Sequence, residues 1–132
     1  MAQGKILIVD DEDDVREVIK LHLEQGGFHP IEARDGEEAI NVLKSGDNML
    51  NVGAILCDIR MPKVNGVEAI DFFTQNAPGI PVVVITGYPD TELAVSLLKK
   101  GAKDYLVKPV EKDKLIEVVT KVVAEKRGVE MN

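Results

Sequence analysis

The sequence predicts an α/β fold in which five parallel strands form a doubly wound sheet covered by helices on both faces. Five short apolar runs alternate with five stretches of helical period, the order expected when each strand is followed by a helix crossing back over the sheet. Helix punctuation agrees with this division. Asp13 and Asp35 stand where helices should start and are predicted to cap them, while Gly26, Gly46 and Gly101 fall where helices should stop.

The first apolar run is Lys5 to Val9, followed by Val15, Val18, Ile19 and Leu23 at helical spacing. The second run, Phe28 to Ala33, contains Pro30, which has no N–H for a ladder bond and therefore belongs on a sheet edge. Ala39, Ile40 and Leu43 make the next stripe. The third run is Val52 to Cys57, followed by Val67, Ile70 and Phe73. Pro81 to Ile85 precedes a fourth stripe of Leu93, Ala94, Leu97 and Leu98, and Asp104 to Val107 precedes a fifth of Leu115, Val118, Val119, Val122 and Val123. The architecture is (βα)5, and Pro30 at an edge favours the flavodoxin-like strand order 2-1-3-4-5. The closing Gly128 to Asn132 reads as a frayed tail.

A chain of 132 residues, 45% hydrophobic and 30% charged, has the size and balance of a single globular domain over 1–132. Apolar stretches stay well short of the roughly 20 residues a membrane-spanning helix needs, and the N-terminus lacks a signal-peptide run, so a cytoplasmic protein with no membrane partner is expected. The lone Cys57 lies in an apolar strand, where a reduced thiol packs as a small hydrophobe. The formal net charge of −7, from 23 acidic and 16 basic residues, argues against direct nucleic-acid binding. Local charge is more informative: Asp10, Asp11, Glu12, Asp13 and Asp14 are consecutive, which calls for a cation nearby.

In an open sheet of this order, the connections after strands one and three diverge to opposite faces and leave a crevice at the carboxyl ends of those strands. Strand one ends in Asp10-Asp11 and strand three in Asp58, so three carboxylates converge from distant sequence positions. Strand four brings Thr86-Gly87 to the same rim, and strand five brings Lys108-Pro109. Three ionised carboxylates within several ångströms repel one another, and at least one pKa rises unless a cation is present. Magnesium suits such a site, with manganese as an alternative, because it needs few protein oxygens and coordinates phosphate as well. Lys108 then holds one phosphoryl oxygen and the Thr86 hydroxyl donates to another. Taken singly, each residue is equally explained as a helix cap or turn; four strand ends supplying complementary groups are not.

With these motifs in view, the chain resembles a bacterial two-component response-regulator receiver domain, the family of the chemotaxis response protein. The resemblance spans about residues 4–126 and rests on Asp10-Asp11, Cys57-Asp58-Ile59-Arg60-Met61-Pro62, Thr86-Gly87 and Lys108-Pro109, with Gly66 and Gly101-Ala102-Lys103-Asp104-Tyr105-Leu106 in support. It implies that Asp58 is the phosphoacceptor, that Asp11 binds magnesium directly with Asp10 acting mainly through coordinated water, and that the Arg60 carbonyl completes the protein ligands. It also implies a cis Lys108-Pro109 bond and a switch formed by Thr86 and Tyr105. Arg60 and Tyr88, two residues after the acceptor and after Thr86, are implied to tune the rate of phosphoryl loss. The implied partners are a sensor histidine kinase or phosphotransfer protein, and a downstream protein target or second copy bound through the fourth helix, fifth strand and fifth helix.

Other readings fit less of the sequence. A phosphatase with an aspartyl-phosphate intermediate would carry an acid two residues after the nucleophile, where Arg60 stands. A calcium loop at Asp10 to Asp14 would need Gly at its sixth position, where Val15 stands. Flavin binding rests on fold class alone. A receiver that binds partners without phosphorylation gains no support, since acceptor, metal and Lys positions are all filled. Whether the output is that of a stand-alone regulator or of a larger one is open at this stage.

Overall fold

The computed structural model describes residues 4–59, 66–87 and 91–131. The strands β1 (Lys5–Val9), β2 (His29–Ala33), β3 (Val52–Asp58), β4 (Val82–Thr86) and β5 (Asp104–Val107) form one parallel sheet in the order β2-β1-β3-β4-β5. Each observed strand lies within one residue of its predicted bounds. Pro30 sits on edge strand β2, opposite Ile6 of β1, where its missing N–H interrupts no second ladder.

The helices are α1 (Asp13–Gln25), α2 (Gly36–Lys44), α3 (Asn48–Asn51), α4 (Gly66–Asn76), α5 (Thr91–Lys100) and α6 (Lys112–Met131). Strand residues alternate between two apolar layers, as the period of two requires. Ile6, Ile8, Ala54, Leu56, Val83 and Ile85 form one layer with Ile19 and Leu23 of α1 and with Leu115, Val118, Val119 and Val122 of α6. Leu7, Val9, Ile55, Cys57 and Val84 form the other with Leu43 of α2, Ile70 and Phe73 of α4 and Leu97 of α5. Burial of β3 is complete along its length, which explains why its sequence is continuously apolar until Asp58.

Three expectations are corrected. Asp13 does not cap α1: Glu12 is the N-cap and makes no side-chain capping bond, while Asp13 is already helical and its carboxylate pairs with Arg16. The chain turns one residue earlier than expected because Asp10 Oδ1 accepts the Glu12 N–H at 2.8 Å. Asp35, by contrast, caps α2 by accepting the Glu38 N–H at 2.8 Å. The second correction is the single-turn α3, which has no apolar periodicity to announce it. It is fastened by side chains instead: Asn48 Nδ2 donates to the Val42 carbonyl, and Lys5 Nζ donates to Asn48 Oδ1. Third, α6 continues through Met131, so Gly128 is helical and not the start of a frayed tail. A glycine within a helix costs only about 1 kcal/mol relative to alanine, too little to break a helix of this length.

Candidate phosphoacceptor and metal site

The order reversal between β1 and β3 leaves its crevice at their carboxyl ends, and Asp10, Asp58, Thr86 and Lys108 are brought to that rim by β1, β3, β4 and β5. Asp10 and Asp58 are almost wholly buried, at 0% and 2% exposure, whereas Asp11 and Glu12 face solvent. One carboxylate oxygen from each of Asp10, Asp11, Glu12 and Asp58 lies within 4.8 Å of the others. Glu12 is the member that sequence reasoning does not single out. Its place in the unbroken acidic run is the available signal, but nothing local tells which of the five acids joins the cluster.

Lys108 reaches into this cluster from the β5–α6 connection. Its Nζ lies 3.1 Å from Asp58 Oδ2, 3.1 Å from Asp10 Oδ2 and 3.3 Å from Glu12 Oε1. The Lys108 backbone N–H donates to the Thr86 carbonyl at 2.8 Å, tying that connection to the end of β4, and the Lys108-Pro109 bond is cis as expected. Thr86 is buried, and with Tyr105 it lines a small cavity completed by Ile59, Leu93, Ala94 and Leu97. Tyr105 is half-buried on β5. Arg60 and Tyr88 lie outside the described residues, as do Met61 and Pro62.

The charges are unbalanced. Burial raises the Asp10 pKa above its ordinary 3.8, the Asp58 carboxylate adds to the rise, and the Glu12 N–H and Lys108 oppose it. Burial alone would lower the Lys108 pKa, yet Asp10 and Asp58 together hold it above 10.5, so this lysine stays an ammonium. Burial also pushes the Cys57 thiol up, with Asp58 and Asp10 reinforcing the shift, which suits an inert packing residue. Asp10 Oδ2 is fully buried and faces the ammonium without an aligned hydrogen bond. Among the described residues, four carboxylates against one ammonium, with a buried oxygen left short of a hydrogen bond, form a donor set that fits a hard divalent cation.

Sequence and structure comparisons converge with this geometry. Residues 6–120 match the sequence profile of the response regulator receiver domain. The chain is 34% identical over 122 residues to the regulatory protein AtoC of Escherichia coli K12, covering 92% of this chain and 26% of that protein. It is 33% identical over 130 residues to the phosphoglycerate transport system transcriptional regulatory protein PgtA of Salmonella typhimurium, covering 94% of this chain and 29% of that protein. Among solved structures, the beryllofluoride-activated NtrC4 receiver domain dimer superposes with a TM-score of 0.82 at 33% identity, covering 92% of this chain and 98% of that one. The chain spans about a quarter of the length of the curated relatives it matches. The span matched by the family profile, residues 6–120, contains Asp10, Asp11, Asp58, Thr86 and Lys108. The chain belongs to the response regulator receiver domain family, the phosphoacceptor modules of two-component signalling.

Proposed function

We propose that Asp58 is the phosphoryl acceptor and that Asp10, Asp11 and Asp58 hold magnesium, or manganese in its place, with the Arg60 carbonyl as a further ligand. The single observation that carries this is the convergence of four carboxylates and the Lys108 ammonium at the switch point of the sheet. The Asp58 carboxylate oxygen attacks phosphorus, and the bond from phosphorus to the nitrogen of a kinase phosphohistidine, or to the oxygen of a small acyl phosphate, breaks. Lys108 holds a phosphoryl oxygen, and the Thr86 hydroxyl donates to another. When bound, magnesium supplies neutralisation of charge on the transferring group. Hydrolysis uses the same residues with water as nucleophile, so the domain catalyses its own labelling and its own reset. Arg60 and Tyr88 lengthen the labelled lifetime by crowding that water, so Arg60→Asn and Tyr88→Ala release phosphate faster.

The cavity shared by Thr86 and Tyr105 supports a switch in which Thr86 moves toward the phosphoryl group and Tyr105 turns into the space vacated. Its readout is the surface of α5, β5 and α6, where Val95, Leu98 and Val107 are exposed. The occupant is a protein target or a second copy. With a net charge of −7, the domain itself avoids nucleic acid, and any output through DNA belongs to the remainder of a longer regulator. Intact mass after treatment with a small acyl phosphate and magnesium tests the acceptor. One acid-labile phosphoryl group on wild type and none on Asp58→Asn is the expected result; undiminished labelling of the variant removes Asp58 from the role.

A further inference from the structure

Arg16, on the first turns of α1, is nine-tenths buried, an unusual state for an arginine, and its guanidinium is spent on three different acceptors. Nη1 donates to the backbone carbonyl of Asp10 at 2.6 Å, Nη2 to the Asp13 carboxylate, and Nε to Glu32 Oε1 of edge strand β2 at 3.3 Å. Glu32 is held in turn by Lys20 Nζ at 3.6 Å. The Asp10 backbone is therefore fixed on both sides, since its N–H also donates to the Ala33 carbonyl of β2 at 3.1 Å. Burial alone would weaken the Arg16 charge, but Asp13 and Glu32 more than offset it, so the guanidinium remains cationic and keeps all three bonds.

We propose that Arg16 is a positioning residue for the phosphorylation site: by clamping the Asp10 carbonyl to α1 and β2, it sets the direction in which the Asp10 and Asp11 carboxylates leave the backbone. This rests on the metal and acceptor assignment proposed above. The clamp touches neither the acceptor nor a carboxylate of the metal cluster, so it acts through the peptide that joins Asp10 to Asp11. A planar fork is required, because acceptors on α1, on β2 and in the connection after β1 lie in fixed directions around one group. Lysine, a compact point charge, keeps the charge but cannot bridge all three.

Two effects of removing Arg16 have opposite signs, which makes the role measurable. Loss of a cation beside an acidic cluster, taken alone, would tighten divalent binding. Loss of the clamp lets the Asp10–Asp11 peptide reorient and weakens it; outer partners of metal ligands typically contribute roughly tenfold or more in affinity.

The experiment is magnesium titration by NMR or calorimetry on folded wild type, Arg16→Met, Arg16→Lys and Glu32→Gln, with thermal melts of each. Arg16→Met keeps the apolar stem of the side chain, and Glu32→Gln loosens the clamp from its far side. The expected result is magnesium binding about tenfold weaker in both Arg16 variants and weaker by a smaller factor in Glu32→Gln, with slower labelling by acyl phosphate that recovers at saturating magnesium. Tighter or unchanged magnesium binding in Arg16→Lys and Glu32→Gln overturns the proposal, even if Arg16→Met fails to fold. Asp11→Ala is the separate control: if it binds magnesium as wild type does, the metal assignment itself fails, whatever the Arg16 variants show.

Discussion

Lys108 Nζ lies 3.1 Å from Asp58 Oδ2 across 50 residues of sequence, and the same nitrogen lies 3.1 Å from Asp10 Oδ2. One ammonium thus bridges the two buried carboxylates of the rim.

Lys108→Met should separate the effect of this ammonium on metal binding from its effect on labelling. With the competing ammonium gone, magnesium binds more tightly, because the carboxylates lose their cationic partner. Labelling of Asp58 by acyl phosphate at saturating magnesium slows about a hundredfold, the usual scale for losing one charged group aimed at a transition-state oxygen. Labelling kinetics and a magnesium titration of the same preparation check both. A labelling rate equal to wild type would remove Lys108 from the chemistry.

The raised Asp10 pKa has a definite sign in stability. Between 3.8 and the raised value, the folded state holds a proton that the unfolded state has released, so stability falls as pH rises through that window. In metal-free protein, Asp10→Asn should therefore be more stable than wild type at neutral pH, with the difference shrinking as pH falls toward 3.8. Saturating magnesium should reverse the order by stabilising wild type alone. Melts across pH, with and without magnesium, provide the check; a difference independent of pH would assign it to packing.

Lys108 contributes in the opposite pH region. Its folded pKa is raised above 10.5, so its contribution is complete below 10.5 and is lost as pH rises through the raised value. Alkaline unfolding of Lys108→Met should lack this component.

Asp35 and Asp13 should behave differently although both are aspartates at helix starts. Asp35→Ala removes the capping bond to the Glu38 N–H and should cost about 1 kcal/mol, without changing magnesium affinity. Asp13→Ala removes an ion pair whose carboxylate side is 82% exposed, worth less than about 1 kcal/mol. Thermal melts of the two variants give the comparison, and equal losses would restore a capping role to Asp13.

The cavity between Thr86 and Tyr105 predicts a surface response. Sedimentation of wild type with magnesium and beryllofluoride should show association or, with a protein target, tighter capture, and NMR shifts should appear near Lys99, Lys103 and Tyr105. Tyr105→Ala should keep labelling at Asp58 while reducing the association. Absence of any change on that face in wild type would count against it as the output surface.

The sequence alone determined the five strands, their order and the meeting of Asp10, Asp11, Asp58, Thr86 and Lys108 at one rim. Apolar periodicity and Pro30 act locally, and carboxylates and a lysine that end separate strands of one parallel sheet must meet at its carboxyl edge. Helix count was less legible: α3 is held by Asn48 and Lys5 side chains, and such bonds leave no periodic trace. The cap of α1 falls one residue before the predicted one because a backbone amide, that of Glu12, finds its acceptor in Asp10. Only the tertiary structure decided which acids of the run Asp10 to Asp14 join the cluster and which serve elsewhere: Glu12 turns toward Lys108, while Asp13 turns to Arg16. It also revealed Arg16 as the brace of the Asp10 carbonyl, since a guanidinium on α1 meets Glu32 only once β2 has packed beside β1. Directions of consecutive side chains are set by where the helix begins and by what packs against it, and neither is encoded in the run of acids itself.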